Sequence, residues 1–331
     1  MHAIGFGSLN LDEFWEVPPE FLRRHGLRTG EEYVKDLEWF ERVYADLCAV
    51  GELLERDPGG SAANMIAALC RMGFRTGFYG AAGRRDAEAL RLAELGREED
   101  LRIQRVDLPA GRCLALIDRE DPGKDRALVI LSNANDLAGS DRTDPEYFAA
   151  AAWVHLTSFV SLEPLRAQIT LVESLSGATK VSFDPGAVYA PLGLTVLEPI
   201  LGRSEVLFVT AEELATLTGE PDARIASATL FGIGVGTIVT KLGEQGIRAI
   251  TRERAVYQGP IPPRQIRDRT GAGDVAAAGF LAGLLTSLDL VACLELAAAA
   301  ASRSIEGYGR RAYPDRVFFE QFVKRRAAGQ A

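Results

Sequence analysis

Residues 180–241, KVSFDPGAVYAPLGLTVLEPILGRSEVLFVTAEELATLTGEPDARIASATLFGIGVGTIVTK, decide the fold. Short apolar runs at 180–183, 206–209 and 237–241 alternate with helical spacing at 197–201, 211–218 and 225–231. A run apolar on both sides suits a strand covered on both faces. Strands separated by single helices are joined by crossovers, and crossovers give a parallel sheet. The same alternation begins upstream, at 154–156 and 163–175. The chain is therefore expected to be α/β, with a central, mostly parallel sheet between two helical layers.

Working outward, residues 3–9 read as a strand ending in Ser8-Leu9-Asn10-Leu11-Asp12. A charged stretch follows to about Asp57, with helical spacing over 34–54. Pro58-Gly59-Gly60-Ser61 breaks that pattern and starts an apolar helix over 62–72. A strand is predicted at 76–79 and a helix at 86–95. Alternation at 112–117 and 127–131 predicts a hairpin around the turn Asp121-Pro122-Gly123-Lys124. Two Ala/Leu-rich helices close the chain, at about 271–285 and 290–305. No repeat or linker is evident, so 1–331 is read as one domain, with a small β-containing lid from about 13–58 and 101–132.

Of 331 residues, 47% are hydrophobic and 25% charged, and the formal net charge is −9. That balance offers no basic stripe for a nucleic acid. The apolar runs at 275–285 and 297–301 are too short to span a bilayer. The first residues lack the regions of a signal peptide, and Cys48, Cys70, Cys113 and Cys293 have no paired spacing. A cytoplasmic protein with reduced thiols is expected. His2, His25 and His155 show no spacing for a metal or a catalytic triad, and no role is assigned to them.

The stretch that promises chemistry is Arg267-Asp268-Arg269-Thr270-Gly271-Ala272-Gly273-Asp274, placed before an apolar helix. Glycines there let the backbone approach a ligand, and the unpaired N–H groups of a helix start face an anion. A phosphoryl group in transfer is such an anion, and a carboxylate in the same turn can take a proton from an attacking hydroxyl. Read alone, the same residues are equally a glycine turn with a carboxylate favourable to a helix N-terminus. No GxxxxGK[ST] occurs, and Gly5-Phe6-Gly7 and Gly232-Ile233-Gly234 lack the third glycine of a dinucleotide site.

DRTGAGD followed by AAAGFLAGL resembles the C-terminal signature of the ribokinase/PfkB family of sugar and nucleoside kinases. GGSAANMIAALCRMG at 59–73, followed by FYGAAGRRD, is similar to its N-terminal signature. The insert containing Phe21-Leu22-Arg23-Arg24-His25-Gly26-Leu27 looks like the adenosine-kinase branch. The resemblance implies a ribokinase-like three-layer sandwich with a lid. It also implies ATP-dependent transfer of the γ-phosphoryl group to a primary hydroxyl of a sugar or nucleoside, by a monomer or homodimer.

Roles follow from the resemblance position by position. Asp274 would be the general base, with the amides of Gly271, Ala272 and Gly273 as anion hole. Asn10, Asp12, Gly59, Gly60 and Asn64 would hold the acceptor. Thr240, Gly243 and Gly246 would contact the nucleotide, and Glu213 would organise Mg²⁺ through water. Asp268 and Thr270 would bind a monovalent cation such as K⁺.

Several positions depart from the family pattern. Thr210 replaces the usual Asn beside Glu213, Ala89 stands where Gly is frequent, and Asp184-Pro185-Gly186 keeps only part of a D-P-N motif. Arg112 stands where T-G-T is common; it is read as an exposed hairpin arginine, or as a contact for an anionic acceptor. A phosphosugar kinase and a catalytically inactive binding protein of the same fold are the alternatives.

Overall fold

The structure is a computed structural model that describes residues 1–86, 88–121, 126–140 and 143–328. In chain order the N-terminal part holds β1 (Ala3–Phe6), β2 (Asn10–Val17), α1 (Pro19–Arg24), β3 (Glu32–Val34), α2 (Leu37–Val50), β4 (Glu52–Gly59) and α3 (Ser61–Arg71). Next come β5 (Thr76–Gly83), β6 (Leu101–Val106), β7 (Gly111–Asp118), β8 (Arg126–Leu131), α4 (Pro145–Ala149), β9 (Trp153–Thr157), α5 (Leu162–Ser174) and β10 (Lys180–Asp184). They are followed by α6 (Gly186–Tyr189), α7 (Gly193–Leu201), β11 (Ser204–Thr210), α8 (Ala211–Thr218), α9 (Ala223–Ile233), β12 (Thr237–Lys241), β13 (Ile247–Ile250) and β14 (Ala255–Gln258). The chain closes with α10 (Ala272–Leu285), α11 (Leu290–Ser304) and α12 (Arg316–Ala327).

Nine strands form one sheet in the order β14-β13-β12-β11-β10-β9-β1-β5-β6. Strands β12 through β6 run parallel, and the β13–β14 hairpin adds an antiparallel edge. Side chains of β11 alternate between two cores. Val206 and Phe208 meet α3, α10 and α11 on one face. Leu207 and Val209 meet α5, α7, α8 and α9 on the other. That is the three-layer sandwich expected from residues 180–241. Helix α10 is buried over Val275–Gly283 and apolar on every side, as befits a helix enclosed between a sheet and its neighbours. His155 lies in β9, hydrogen-bonded to Ser182 at 3.0 Å, and burial pushes its imidazole down to about 4, so it is neutral.

A second sheet of five strands, β3-β8-β7-β2-β4, carries α1 and α2 on one face. Trp15, Val17, Phe21, Trp39, Leu47 and Leu116 fill the layer between. The hairpin of β7 and β8 is present, pairing Arg112 with Leu131, while residues 122–124 of its expected turn lie outside the described residues.

Four expectations need correction. The first strand ends at Phe6, and Asp12 lies inside β2 of the second sheet rather than in a turn. Residues 101–106, expected in the lid, form the edge strand of the large sheet. The insert helix stops at Val50, and β4 begins at Glu52. Within the 86–95 stretch the only helix described is a single 3₁₀ turn, Leu92–Glu94. Arg91 has φ +44°, a left-handed conformation that interrupts a helix, because its guanidinium is drawn to Asp57. The Asp86 carboxylate meanwhile accepts the Ala110 N–H at 2.7 Å.

Candidate active site

Two helices start at the C-terminal edge of the large sheet, and each starts on a glycine. Gly60, with φ +98°, turns the chain from β4 into α3 so closely that a Cβ would collide with the Ser8 carbonyl oxygen. No side chain caps α3; Gly60 rather than Ser61 holds the cap position, so backbone geometry alone makes the turn. Gly271, with φ +75°, does the same for α10, and a Cβ there would lie 2.9 Å from the Tyr313 hydroxyl.

Within the first turn of α10, Ala272 N–H donates to Arg269 O at 3.3 Å, and Val275 N–H to Gly271 O at 3.0 Å. Among the described residues no acceptor is paired with Gly273 N–H or Asp274 N–H. Gly271 N–H likewise has no acceptor among the described residues, so the free donors at this end are those of Gly271, Gly273 and Asp274, and of the three expected amides only that of Ala272 is engaged. Lys241 lies alongside: a Cβ at residue 273 would be 3.3 Å from its Cδ and 3.8 Å from its Nζ.

The Asp274 carboxylate accepts from Asn64 Nδ2 at 2.9 Å. Asn64 Oδ1 in turn accepts from Arg310 Nε at 3.1 Å. A guanidinium only donates, so Arg310 fixes which way the Asn64 amide points. Arg310 is 1% exposed and also reaches Glu94 at 3.4 Å and the Gly59 carbonyl at 3.5 Å. Burial pushes the half-buried Asp274 up to about 7; the nearby Asp184 adds to this, while the Asn64 hydrogen bond, Lys241 and Arg310 oppose it. A carboxylate near neutrality suits proton transfer at physiological pH.

A small polar pocket lies beside it, lined among others by Asp12, Phe14, Asp57, Asn64, Asp268, Thr270 and Tyr313. Burial also lifts Asp12 to about 7, with Asp274, Asp268 and Asp57 adding to the effect against Arg310. Asp12 Oδ1, Asp57 Oδ2 and Thr270 Oγ1 are buried without a hydrogen-bond partner. Such atoms are costly in a fold unless a polar group or water meets them, and three lie around this one pocket.

On the other side of Asp274, Lys241 Nζ is 2.6 Å from Asp184 Oδ2. Burial works against the ammonium, yet Asp184 and Glu213 hold its pKa above the ordinary value. Glu213 forms a capping box with Thr210, its Oε2 accepting Thr210 N–H at 2.7 Å. Burial raises its carboxyl, and Lys241 opposes. No group of three or more His, Cys, Asp or Glu side chains that could hold a metal occurs among the described residues. Asp184 and Glu213 are hard oxygen donors, which fits Mg²⁺ held mostly by phosphate oxygens and water. Asp268 is 8% exposed and accepts the N–H groups of Thr270 at 2.9 Å and Gly309 at 3.3 Å. Its carboxylate and the unpartnered Thr270 hydroxyl are likewise oxygen donors of the kind a monovalent cation takes.

The structure brings Asp274, Asp12, Asn64, Gly59, Gly60 and the start of α10 together at this edge. Asn64, expected on the acceptor, has its amide engaged by Arg310 and Asp274. Asn10 accepts from Asn135 Nδ2 at 2.8 Å and does not line the pocket. Thr240, expected on the nucleotide, is fully buried; strand alternation turns its neighbour Lys241 to the site instead. Gly243 starts a 3₁₀ turn where an added Cβ meets nothing within 4 Å, and Gly246 sits behind it at φ +98°. That turn is tied to the α10 loop by Glu244–Arg269 at 2.5 Å. Arg112, expected to be exposed, is ion-paired with the buried Glu13 and lies over Phe40 and Tyr44.

Sequence reasoning missed Lys241, Asp57, Arg310 and Tyr313 as site residues, and noted Asp184 only as part of a motif. Strand parity could have found Lys241; nothing local marks Arg310 in Gly309-Arg310-Arg311-Ala312-Tyr313.

Residues 38–316 match the pfkB family carbohydrate kinase description. The chain belongs to the PfkB family. It is therefore an ATP-using phosphotransferase, a sugar or nucleoside kinase. An uncharacterized sugar kinase from Archaeoglobus fulgidus is 32% identical over 249 residues, covering 73% of this chain and 96% of that one. An ATP-dependent ribose-1-phosphate kinase from Halopiger xanaduensis is 30% identical over 274 residues, covering 81% and 87%. In fold, the adenosine kinase from Sinorhizobium meliloti superposes with a TM-score of 0.79 over 98% of this chain and 99% of its own, at 19% identity. The PfkB fold explains why both glycine-started helices open on one edge: the C-terminal ends of parallel strands meet helix N-termini there.

Proposed function

We propose that this kinase transfers the γ-phosphoryl group of ATP to a primary hydroxyl of a sugar or nucleoside, with Asp274 as general base. The observation that carries the reading is the position of Asp274. It stands between a pocket of unpartnered acceptor oxygens and the free amides of α10. Asn64 holds one carboxylate oxygen, and the other takes the proton of the attacking hydroxyl. The N–H groups of Gly273 and Asp274, the end of the helix behind them and Lys241 stabilise charge on the transferring group. Asp184 and Glu213 would hold Mg²⁺ through water, and that ion would neutralise phosphate charge. Asp268 and Thr270 would hold K⁺. The open Gly243–Gln245 turn faces the nucleotide.

The five-stranded sheet serves as the lid: β2 and β4 place Asp12, Phe14 and Asp57 over the acceptor and exclude water. The phosphosugar alternative through Arg112 is disfavoured, because that guanidinium is already paired with Glu13. A coupled ADP-release screen over ribose, fructose, adenosine and phosphosugars, with and without K⁺, tests the reading. Acceptor-dependent ADP release is expected. Ligand-induced stabilisation without ADP from any acceptor would leave an inactive binding protein instead.

A further inference from the structure

We propose that Asp57 is a specificity-determining residue of the acceptor pocket, selecting an uncharged polyol and rejecting phosphorylated acceptors. The proposal rests on the kinase reading above and adds the class of acceptor and the residue that sets it. Asp57 in β4 pairs directly with Asp12 in β2, so the two side chains sit side by side on the pocket face of the second sheet. Asp57 is 2% exposed. Its Oδ1 is held by Arg91, and its Oδ2 has no partner although it is buried in the pocket lining. A Cβ on Gly309 would collide with Asp57, so the carboxylate is wedged in place from the opposite wall.

Arg91 is one of three non-glycine residues with positive φ, at +44°, among the described residues. Strained backbone persists where surrounding contacts demand it, and the contact here is the Asp57 ion pair. Arg91 and Arg310 both reach Glu94, so Asp57 is tied through Arg91, Glu94, Arg310 and Asn64 to Asp274. The acceptor wall and the base belong to one chain of polar contacts.

Charge decides the ligand class. Four carboxylates, Asp12, Asp57, Asp268 and Asp274, surround or border the pocket. The nearby guanidiniums are committed: Arg91 to Asp57 and Glu94, Arg310 to Asn64 and Glu94, and Arg311 to Glu55, while Arg112 is paired with Glu13 on the α2 side of the sheet. None presents a vacant fork to a phosphate. Two neighbouring oxygens lacking donors, Asp12 Oδ1 and Asp57 Oδ2, instead fit two hydroxyls of one neutral molecule. Helices α1 and α2 pack on the opposite face of the sheet. The insert therefore closes the pocket with Phe14, Asp57 and Pro58 rather than with a broad apolar wall.

The test is calorimetric titration, without nucleotide, of ribose, fructose and adenosine against ribose 1-phosphate and fructose 6-phosphate, which each keep a free primary hydroxyl, on the full chain and on Asp57→Asn. The full chain should bind a neutral polyol and not its phosphorylated counterpart. Asp57→Asn should weaken that binding roughly 10- to 100-fold, the worth of a hydrogen bond to a charged group. Tighter binding of a phosphorylated acceptor, no binding of any neutral one, or equal affinity in folded Asp57→Asn would overturn the proposal. The first comparison needs no variant, so it stands even where Asp57→Asn fails to fold. Polyol binding that depends on Asp57 but yields no ADP would refute the kinase reading and leave this inference standing. ADP release with an indifferent Asp57→Asn would do the reverse.

Discussion

Replacing Asp274 by Asn should stabilise the protein at pH 8 and leave its stability near pH 4 unchanged. Burial lifts the Asp274 carboxyl from 3.8 to about 7. A folded-state pKa above the unfolded one means that the folded chain binds the proton more tightly. Between about pH 4 and 7 the folded state keeps a proton that the unfolded state has released, so stability falls as pH rises through that window. Above it, the ionised carboxylate is a constant burden. A shift of about three units sets a ceiling of ~4 kcal/mol. Solvent reaches this half-buried group, and screening brings the expected gain to about 1–2 kcal/mol. The Asn64 amide still finds an acceptor, because an asparagine at 274 can turn its oxygen towards it. For a chain of 331 residues the unfolding entropy is ~0.7 kcal/mol/K, so the gain reads as a rise of about 1–3 °C in Tm. Scanning calorimetry of both proteins at pH 4, 6 and 8 should show the gap opening with pH. A gap independent of pH, or a less stable Asp274→Asn at pH 8, would refute the reasoning.

Three further outcomes are expected. Gly60→Ala should destabilise by more than about 2 kcal/mol in urea unfolding, since φ +98° is strained for alanine and the Ser8 carbonyl blocks the methyl group. Arg310→Met should lower stability by about 1–3 kcal/mol, as for leaving buried acceptors without their donor, and should leave the Asn64 amide unfixed. Lys241→Met should lower kcat by roughly 10²- to 10³-fold, as for loss of one preorganised donor, with acceptor KM little changed. Steady-state ADP release measures it, and an unaltered kcat would remove Lys241 from the phosphoryl site.

The three-layer sandwich was legible because residues 180–241 alternate cleanly, and because strands buried on both faces leave few other arrangements. The helices over 272–285 and 290–304 were legible for the same reason: long, strongly apolar segments with a glycine or aspartate at the start. The second sheet was not. β2 and β4 carry Glu13, Glu16, Glu52 and Arg56, charges that read as surface. Only tertiary pairing, with Glu13 enclosed by Arg56, Arg112 and Trp15, makes them strand residues. The 86–95 stretch failed likewise, because Arg91 answers to Asp57 far away in sequence and not to its own helical spacing.

In the site, Asp274, Asp12 and the two glycine turns stood out through short motifs. Arg310 and Asp57 did not, since their roles come from contacts with Asn64, Glu94 and Arg91 that no spacing encodes. Thr240, expected on the nucleotide, is turned into the fold, while its neighbour Lys241 faces Asp184, because in a strand one position exchanges the two faces.

The most direct measurement is kcat of Asp274→Asn with ATP and the best acceptor from the ADP-release screen, on protein shown to be folded. If Asp274 is the general base, kcat falls roughly 10²- to 10⁴-fold. Turnover equal to that of the parent would contradict it.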